Sequence, residues 1–121
     1  MGLISTWMKR VVHLELHTED LTGAQAFYSG MCGWLPDEVR TRFGSYHALD
    51  LGPPGGGIVQ CATDRPLWLP YVEVQEIGEQ TERARELGGR VVLEPREGPG
   101  GWRSVVASPA AGELALWQCK R

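Results

Sequence analysis

Long apolar runs, paired cysteines and a marked charge excess are all missing from this 121-residue sequence. No stretch approaches the roughly 20 apolar residues that cross a bilayer. The opening MGLISTWMKRVVHLE has no cationic start followed by a long apolar core, so it predicts neither a signal peptide nor a membrane partner. Cys32, Cys61 and Cys119 are odd in number, scattered and without CxxC spacing, which argues for reduced thiols and a cytoplasmic protein. A net charge of −3 provides no electrostatic footprint for nucleic acid or an anionic membrane. GPPGGG, residues 52–57, lacks the Lys-Ser/Thr of a phosphate loop and leads into a strand, so it reads as a turn. No Ser-His-Asp or Cys-His nucleophile is legible, and Cys61 sits inside an expected strand as a small buried hydrophobe.

What remains is a chain that is 42% hydrophobic and 22% charged, enough for one domain with a core. Its organisation turns on LPYVEVQEIGEQTERARELGGRV, residues 69–91. Shifted by 56 positions it lies without a gap on HLELHTEDLTGAQAFYSGMCGWL, residues 13–35. Leu16 falls on Val72, Asp20 on Glu76, Leu21 on Ile77, Met31 on Leu87 and Gly33 on Gly89. Each copy starts as an alternating strand, meets an acidic residue suited to a helix N-terminus, continues as an amphipathic helix and stops at glycine. The spacing predicts buried stripes of Leu21, Ala24, Tyr28 and Met31 in one helix and Ile77, Thr81, Ala84 and Leu87 in the other.

Three short strands follow each helix, at about 34–40, 43–51 and 57–62 and again at about 89–94, 102–107 and 113–119. The expected fold is therefore α+β: two βαβββ modules, about 10–62 and 67–119 of a single domain. Their strands would form a cup-shaped mixed sheet with the helices outside.

The stretch HLELHT, residues 13–18, poses the functional question. Strand alternation puts His13, Glu15 and His17 on one face and Leu14 and Leu16 on the other. If the leucines meet the helix, the polar three line the cup; the alternative is a solvated strand face. By the repeat, Glu15 matches Tyr71 and His17 matches Glu73, while His47 matches Arg103, a pair suited either to an anionic group or to a surface hairpin. Trp34, Trp68, Trp102 and Trp117 all fall in or beside these strands, with Phe43, Tyr46 and Tyr71 near them in the pattern. As a set they favour an apolar pocket for a planar organic molecule over a phosphate site.

The paired layout resembles the vicinal oxygen chelate superfamily of glyoxalase I, extradiol dioxygenases, fosfomycin-resistance enzymes and bleomycin-resistance proteins. VVHLELHTEDLTGAQAFYSGMCGW is similar to the family's opening signature, and VVASPAAGELALWQ to its closing one. The resemblance implies metal ligands on the first and last strands of each module. Carried over, those positions fall on His13, Leu69, Ala115 and approximately Val59, so His13 is the only retained ligand position. The resemblance therefore implies binding of a small organic molecule without the usual metal, with no cofactor expected. His13, Glu15, His17, His47, Tyr71, Glu73, Arg103 and Trp117 are the expected ligand-binding residues. The rival expectation is a glyoxalase- or dioxygenase-like enzyme, a lyase or isomerase. It would use a relocated divalent metal on His13, or Glu15 or Glu73 as general base. A homodimer is expected by resemblance.

Overall fold

The structure, a computed structural model, describes residues 8–41, 44–98 and 100–120. Phe43 lies outside the described residues. Ten elements follow in order: β1 (Val11–Thr18), α1 (Leu21–Cys32), β2 (Pro36–Thr41), β3 (Gly44–Leu49), β4 (Gly55–Gln60), β5 (Leu67–Glu73), α2 (Ile77–Glu86), β6 (Arg90–Glu97), β7 (Gly101–Ala107) and β8 (Glu113–Cys119). This is the α+β class with the two expected βαβββ modules. β4 begins inside the expected glycine turn, because Gly55, Gly56 and Gly57 already pair with His13, Leu14 and Glu15.

Contacts divide the chain into two compact units, residues 12–70 and residues 71 onward with those preceding 12. In the first, β1 runs parallel to β4, and β4, β3 and β2 follow antiparallel. In the second, β5 runs parallel to β8, and β8, β7 and β6 follow antiparallel. The modules share one topology, but their register drifts. Leu16 pairs with Ile58 and Val72 pairs with Leu116, so a spacing of 56 residues at the first strand has become 58 at the last. Irregular pairing between Val91 and Leu93 and between Leu93 and Arg96 marks β6 of the second module. Bulges of this kind add residues to one strand without breaking the sheet. The gapless alignment therefore holds for the first strand and helix only.

The first core consists of Leu16, Leu49 and Ile58, with Leu21, Ala24 and Tyr28 of α1 against it. Asp20 caps α1 by accepting the Gly23 N–H, and Gly33 ends it at φ +72°. Met31 is exposed, because the helix has turned its last apolar position away from the sheet. The second core joins Val74, Ile77, Val106 and Leu116, with Ala84 packed on it. Thr81 is also buried, where its hydroxyl donates to the Ile77 carbonyl and shares a hydrogen bond with Ser104. Leu87 is exposed and caps the helix instead of extending the buried stripe.

The two helices differ in their outer faces. α2 displays Glu79, Glu82, Arg83, Arg85 and Glu86, and Arg85 pairs with Glu82 and Glu94. α1 has no charged residue and leaves Phe27 and Met31 in solvent. No helix among the described residues is long and apolar enough to cross a membrane.

Candidate functional site

Each module carries its own group of polar side chains on the strand face turned away from its helix. In the first module Leu16 belongs to the core under α1, so His13, Glu15 and His17 occupy the opposite face. They meet there. The Nε2 atom of His17 lies 2.8 Å from Oε1 of Glu15, and Nε2 of His13 lies 3.2 Å from Oε2. Glu15 is buried, while the two imidazoles keep more of their surface exposed.

The neighbouring β4 makes room for this group. Glu15 stands directly opposite Gly57. A Cβ at Gly57 would come within 3.3 Å of the Tyr46 ring and 3.2 Å of the His47 carbonyl oxygen. The glycine thus seats Tyr46 beside the carboxylate. Tyr46 was expected as one of the pocket aromatics, whereas Gly57 read as the end of a turn.

His47 is placed elsewhere. It pairs with Ile58, a core residue, so its side chain belongs to the face that carries α1. There it lines a recess of about 560 Å³ with Glu19, Leu21, Gln60, Cys61 and Ala62. The expected match of His47 with Arg103 is also displaced. Because Ser104 pairs with Leu116, Ser104 is the counterpart of His47, and Arg103 is the counterpart of Tyr46.

In the second module Leu116 packs under α2, which assigns Ala115 and Trp117 to the opposite face. Tyr71 pairs with Ala115, and Glu73 and Arg103 both pair with Trp117. Arg103 donates through Nη1 to the Tyr71 hydroxyl at 2.9 Å, and the Tyr71 and Trp117 rings lie 6.2 Å apart. Tyr71 is buried and Trp117 half-buried. Glu73 is exposed on the same strand, accepts from the Cys119 thiol at 3.6 Å, and borders an open groove of about 900 Å³ with Arg10, Gln118 and Lys120.

The tryptophans do not act as one set. Trp34 and Trp68 pack with Tyr28 in the core beneath α1, and Trp68 Nε1 donates to the Tyr28 hydroxyl at 3.0 Å. Trp102 pairs with Gln118, whose side chain reaches α2, so it sits on the helix-bearing face. Among the described tryptophans, Trp117 alone shares a face with Tyr71 and Arg103. The sequence placed all four in or beside strands, but the face each occupies depends on strand pairing and on which face meets the helix.

Of the four metal positions that the resemblance implies, His13 keeps a donor atom and the other three have none. Leu69 is 2% exposed and Ala115 fully buried, and neither has a side-chain atom able to bind an ion. The counterpart of Ala115 is Gly57, not Val59, because Tyr71 pairs with Ala115 as Glu15 pairs with Gly57. Glycine supplies no ligand either. Among the described residues, no group of three His, Cys, Asp or Glu side chains is arranged to hold a metal ion.

No family model matches the sequence. Two curated mycobacterial proteins named "Putative glyoxylase CFP32", from Mycobacterium bovis (strain ATCC BAA-935 / AF2122/97) and Mycobacterium tuberculosis (strain CDC 1551 / Oshkosh), are 23% identical over 128 residues. These alignments cover 89% of this chain and 45% of theirs, so the chain spans less than half the length of these relatives. Methylmalonyl-CoA epimerase from Mycobacterium tuberculosis superposes with a TM-score of 0.64 at 14% identity, covering 98% of this chain and 94% of its own. A glyoxalase/bleomycin resistance protein/dioxygenase superfamily member from Vibrio splendidus 12B01 gives 0.60 at 18% identity, covering 93% and 100%. At these identities the likeness is one of fold. The fold is the one these glyoxalase/bleomycin resistance-like structures share, and the sequence is similar to the curated glyoxylases over 89% of its length.

Proposed function

We propose that this protein binds a small organic molecule without a metal ion, using the strand face that carries Tyr71, Arg103 and Trp117. One observation carries the reading. Where metal-dependent relatives are expected to hold ligands, the chain has buried Leu69 and, in the second module, buried Ala115 on the strand face that carries a guanidinium held by a phenol next to an indole. A cation that also donates in a planar fork, set against an aromatic ring, suits a planar molecule with an acidic group. The test is a calorimetric titration of chelator-stripped protein with Mn²⁺, Ni²⁺ and Zn²⁺, followed by tryptophan-fluorescence titrations with aromatic carboxylates. Saturable carboxylate binding without metal supports the reading. Micromolar metal binding that His13→Ala abolishes overturns it.

A second reading, a glyoxalase-like lyase or isomerase or a dioxygenase-like enzyme, is favoured by the His13–Glu15–His17 group. A buried carboxylate held between two imidazoles is machinery for moving a proton. The names of the relatives, a glyoxylase and an epimerase, agree with a catalytic use of the fold. Cys32 and Cys119, free thiols on the surface, support a reducing compartment such as the cytoplasm. Exposed Phe27 and Met31 on charge-free α1 support a homodimer, which sedimentation equilibrium tests directly.

A further inference from the structure

We propose that Glu15 is a positioning residue that holds His17 as its Nε2–H tautomer. Nδ1 of His17 then serves as the hydrogen-bond and proton acceptor of this strand face. The inference deepens the catalytic reading and rests on it for its use, though its geometry stands alone.

Alternate residues of a strand start nearly 7 Å apart, so the three side chains of β1 do not meet by default. They converge because the glutamate is flanked by two imidazoles, each reaching a different oxygen. His17 takes Oε1 at 2.8 Å and His13 takes Oε2 at 3.2 Å. Gly57 opposite has no side chain to compete for the same space.

The chemistry of the donors then decides the tautomer. A carboxylate accepts hydrogen bonds and has no proton to donate, so each Nε2 must carry its hydrogen. A neutral imidazole has one N–H, which leaves the lone pair on Nδ1. For His17 the bond to Glu15 is the one hydrogen bond it makes among the described residues. Side-chain exposure is 18% for His17 and 11% for Glu15, so an arriving molecule reaches the imidazole more readily than the carboxylate.

Glu15 is thereby reassigned. Both of its oxygens already accept a hydrogen bond, and it is the more buried partner. In a transfer step, the X–H bond of a hydroxyl, an N–H or an acidified C–H breaks. Its proton joins Nδ1 of His17, and the electron pair stays on the ligand as an anion. The resulting imidazolium is paired with the Glu15 carboxylate through Nε2–H, the arrangement by which a carboxylate orients a catalytic histidine. The ligand class is an organic molecule that presents such a donor.

The experiment is two-bond ¹H–¹⁵N correlation of the imidazoles in ¹⁵N-labelled protein free of metal and ligand. His17 is assigned by the signal lost in His17→Gln. The expected result is a protonated Nε2 and an unprotonated Nδ1 at His17. In Glu15→Gln the amide offers one acceptor oxygen and one donor nitrogen, so His13 or His17 must switch to the Nδ1–H form. If Glu15→Gln does not fold, Glu15→Asp is read instead, where the shorter carboxylate loosens its hold and His17 shows averaged tautomers. An Nδ1–H or averaged His17 in the wild-type protein overturns the proposal, and so does a Glu15→Gln protein with both imidazoles still Nε2–H. Phenol and anisole then probe the acceptor: phenol is expected to shift the Nδ1 resonance of His17 and anisole to leave it in place, and equal responses overturn the acceptor role. None of these measurements involves a metal, so the binding reading above stands or falls separately on its own titration.

Discussion

The side-chain oxygen of Gln118, on β8, accepts the backbone N–H of Ile77, the first residue of α2, at 2.8 Å. Glu76 occupies the N-cap position but makes no side-chain cap hydrogen bond. α1 is capped locally by Asp20, whereas α2 is capped by a strand 41 residues away in sequence. Gln118→Ala and Asp20→Ala should each lower stability by about 1 kcal/mol, as removal of a helix cap typically does. Glu76→Ala should cost less than Gln118→Ala, because the Glu76 side chain makes no cap hydrogen bond. Urea unfolding of the three variants separates these outcomes, and a Glu76→Ala loss as large as that of Gln118→Ala would refute the assignment.

Gly101 packs its α-carbon against β8. A Cβ there would lie 2.1 Å from the Gln118 carbonyl oxygen and 3.1 Å from the Cys119 α-carbon. Both are backbone atoms that cannot rotate aside. Gly101→Ala should therefore cost about 3 kcal/mol or more, at the upper end of overpacking. Gly30→Ala, with nothing within reach of the new methyl, should leave stability unchanged or slightly raised. Thermal melts of the two variants should move in clearly different amounts.

Thr81 and Ser104 share a hydrogen bond of 2.9 Å in the core of the second unit, and both are essentially solvent-free. Thr81→Val strands the Ser104 hydroxyl and should cost about 1–3 kcal/mol. Adding Ser104→Ala should recover part of that loss, because the orphaned group is then gone. A double-mutant cycle measures the coupling. Strict additivity would mean that the two hydroxyls do not depend on one another.

Tyr71→Phe removes the oxygen to which Arg103 donates and leaves the ring against Trp117. The expected stability loss is about 1 kcal/mol. Carboxylate affinity should fall about 3- to 10-fold, since a tenfold change corresponds to about 1.4 kcal/mol. Arg103→Lys should lose more, because a point charge replaces a planar fork. Fluorescence titration reads both, and unchanged affinity in both variants would remove this face from the binding site.

Much of this protein was legible residue by residue. The alternation in HLELHT assigned Leu16 to the core and Glu15 to the other face, and both assignments follow from strand geometry alone. Asp20 and Gly33 marked the ends of α1 because capping chemistry is local. The duplicated pattern led to two βαβββ modules, because a repeat in sequence needs only the same local forces twice. Three things lay beyond it. The register of β3, β4, β7 and β8 depends on pairing and bulges across the sheet, which moved Arg103 opposite Trp117 and His47 to the helix side. The burial of Trp34 and Trp68 depends on which face meets α1. The convergence of His13 and His17 on one carboxylate depends on space left by Gly57, a residue that no pattern along β1 contains. Periodicity and capping act within one turn or one strand, so the sequence by itself determined the elements and the module. Pairing acts between distant strands, so only the tertiary structure decided which side chains share a face.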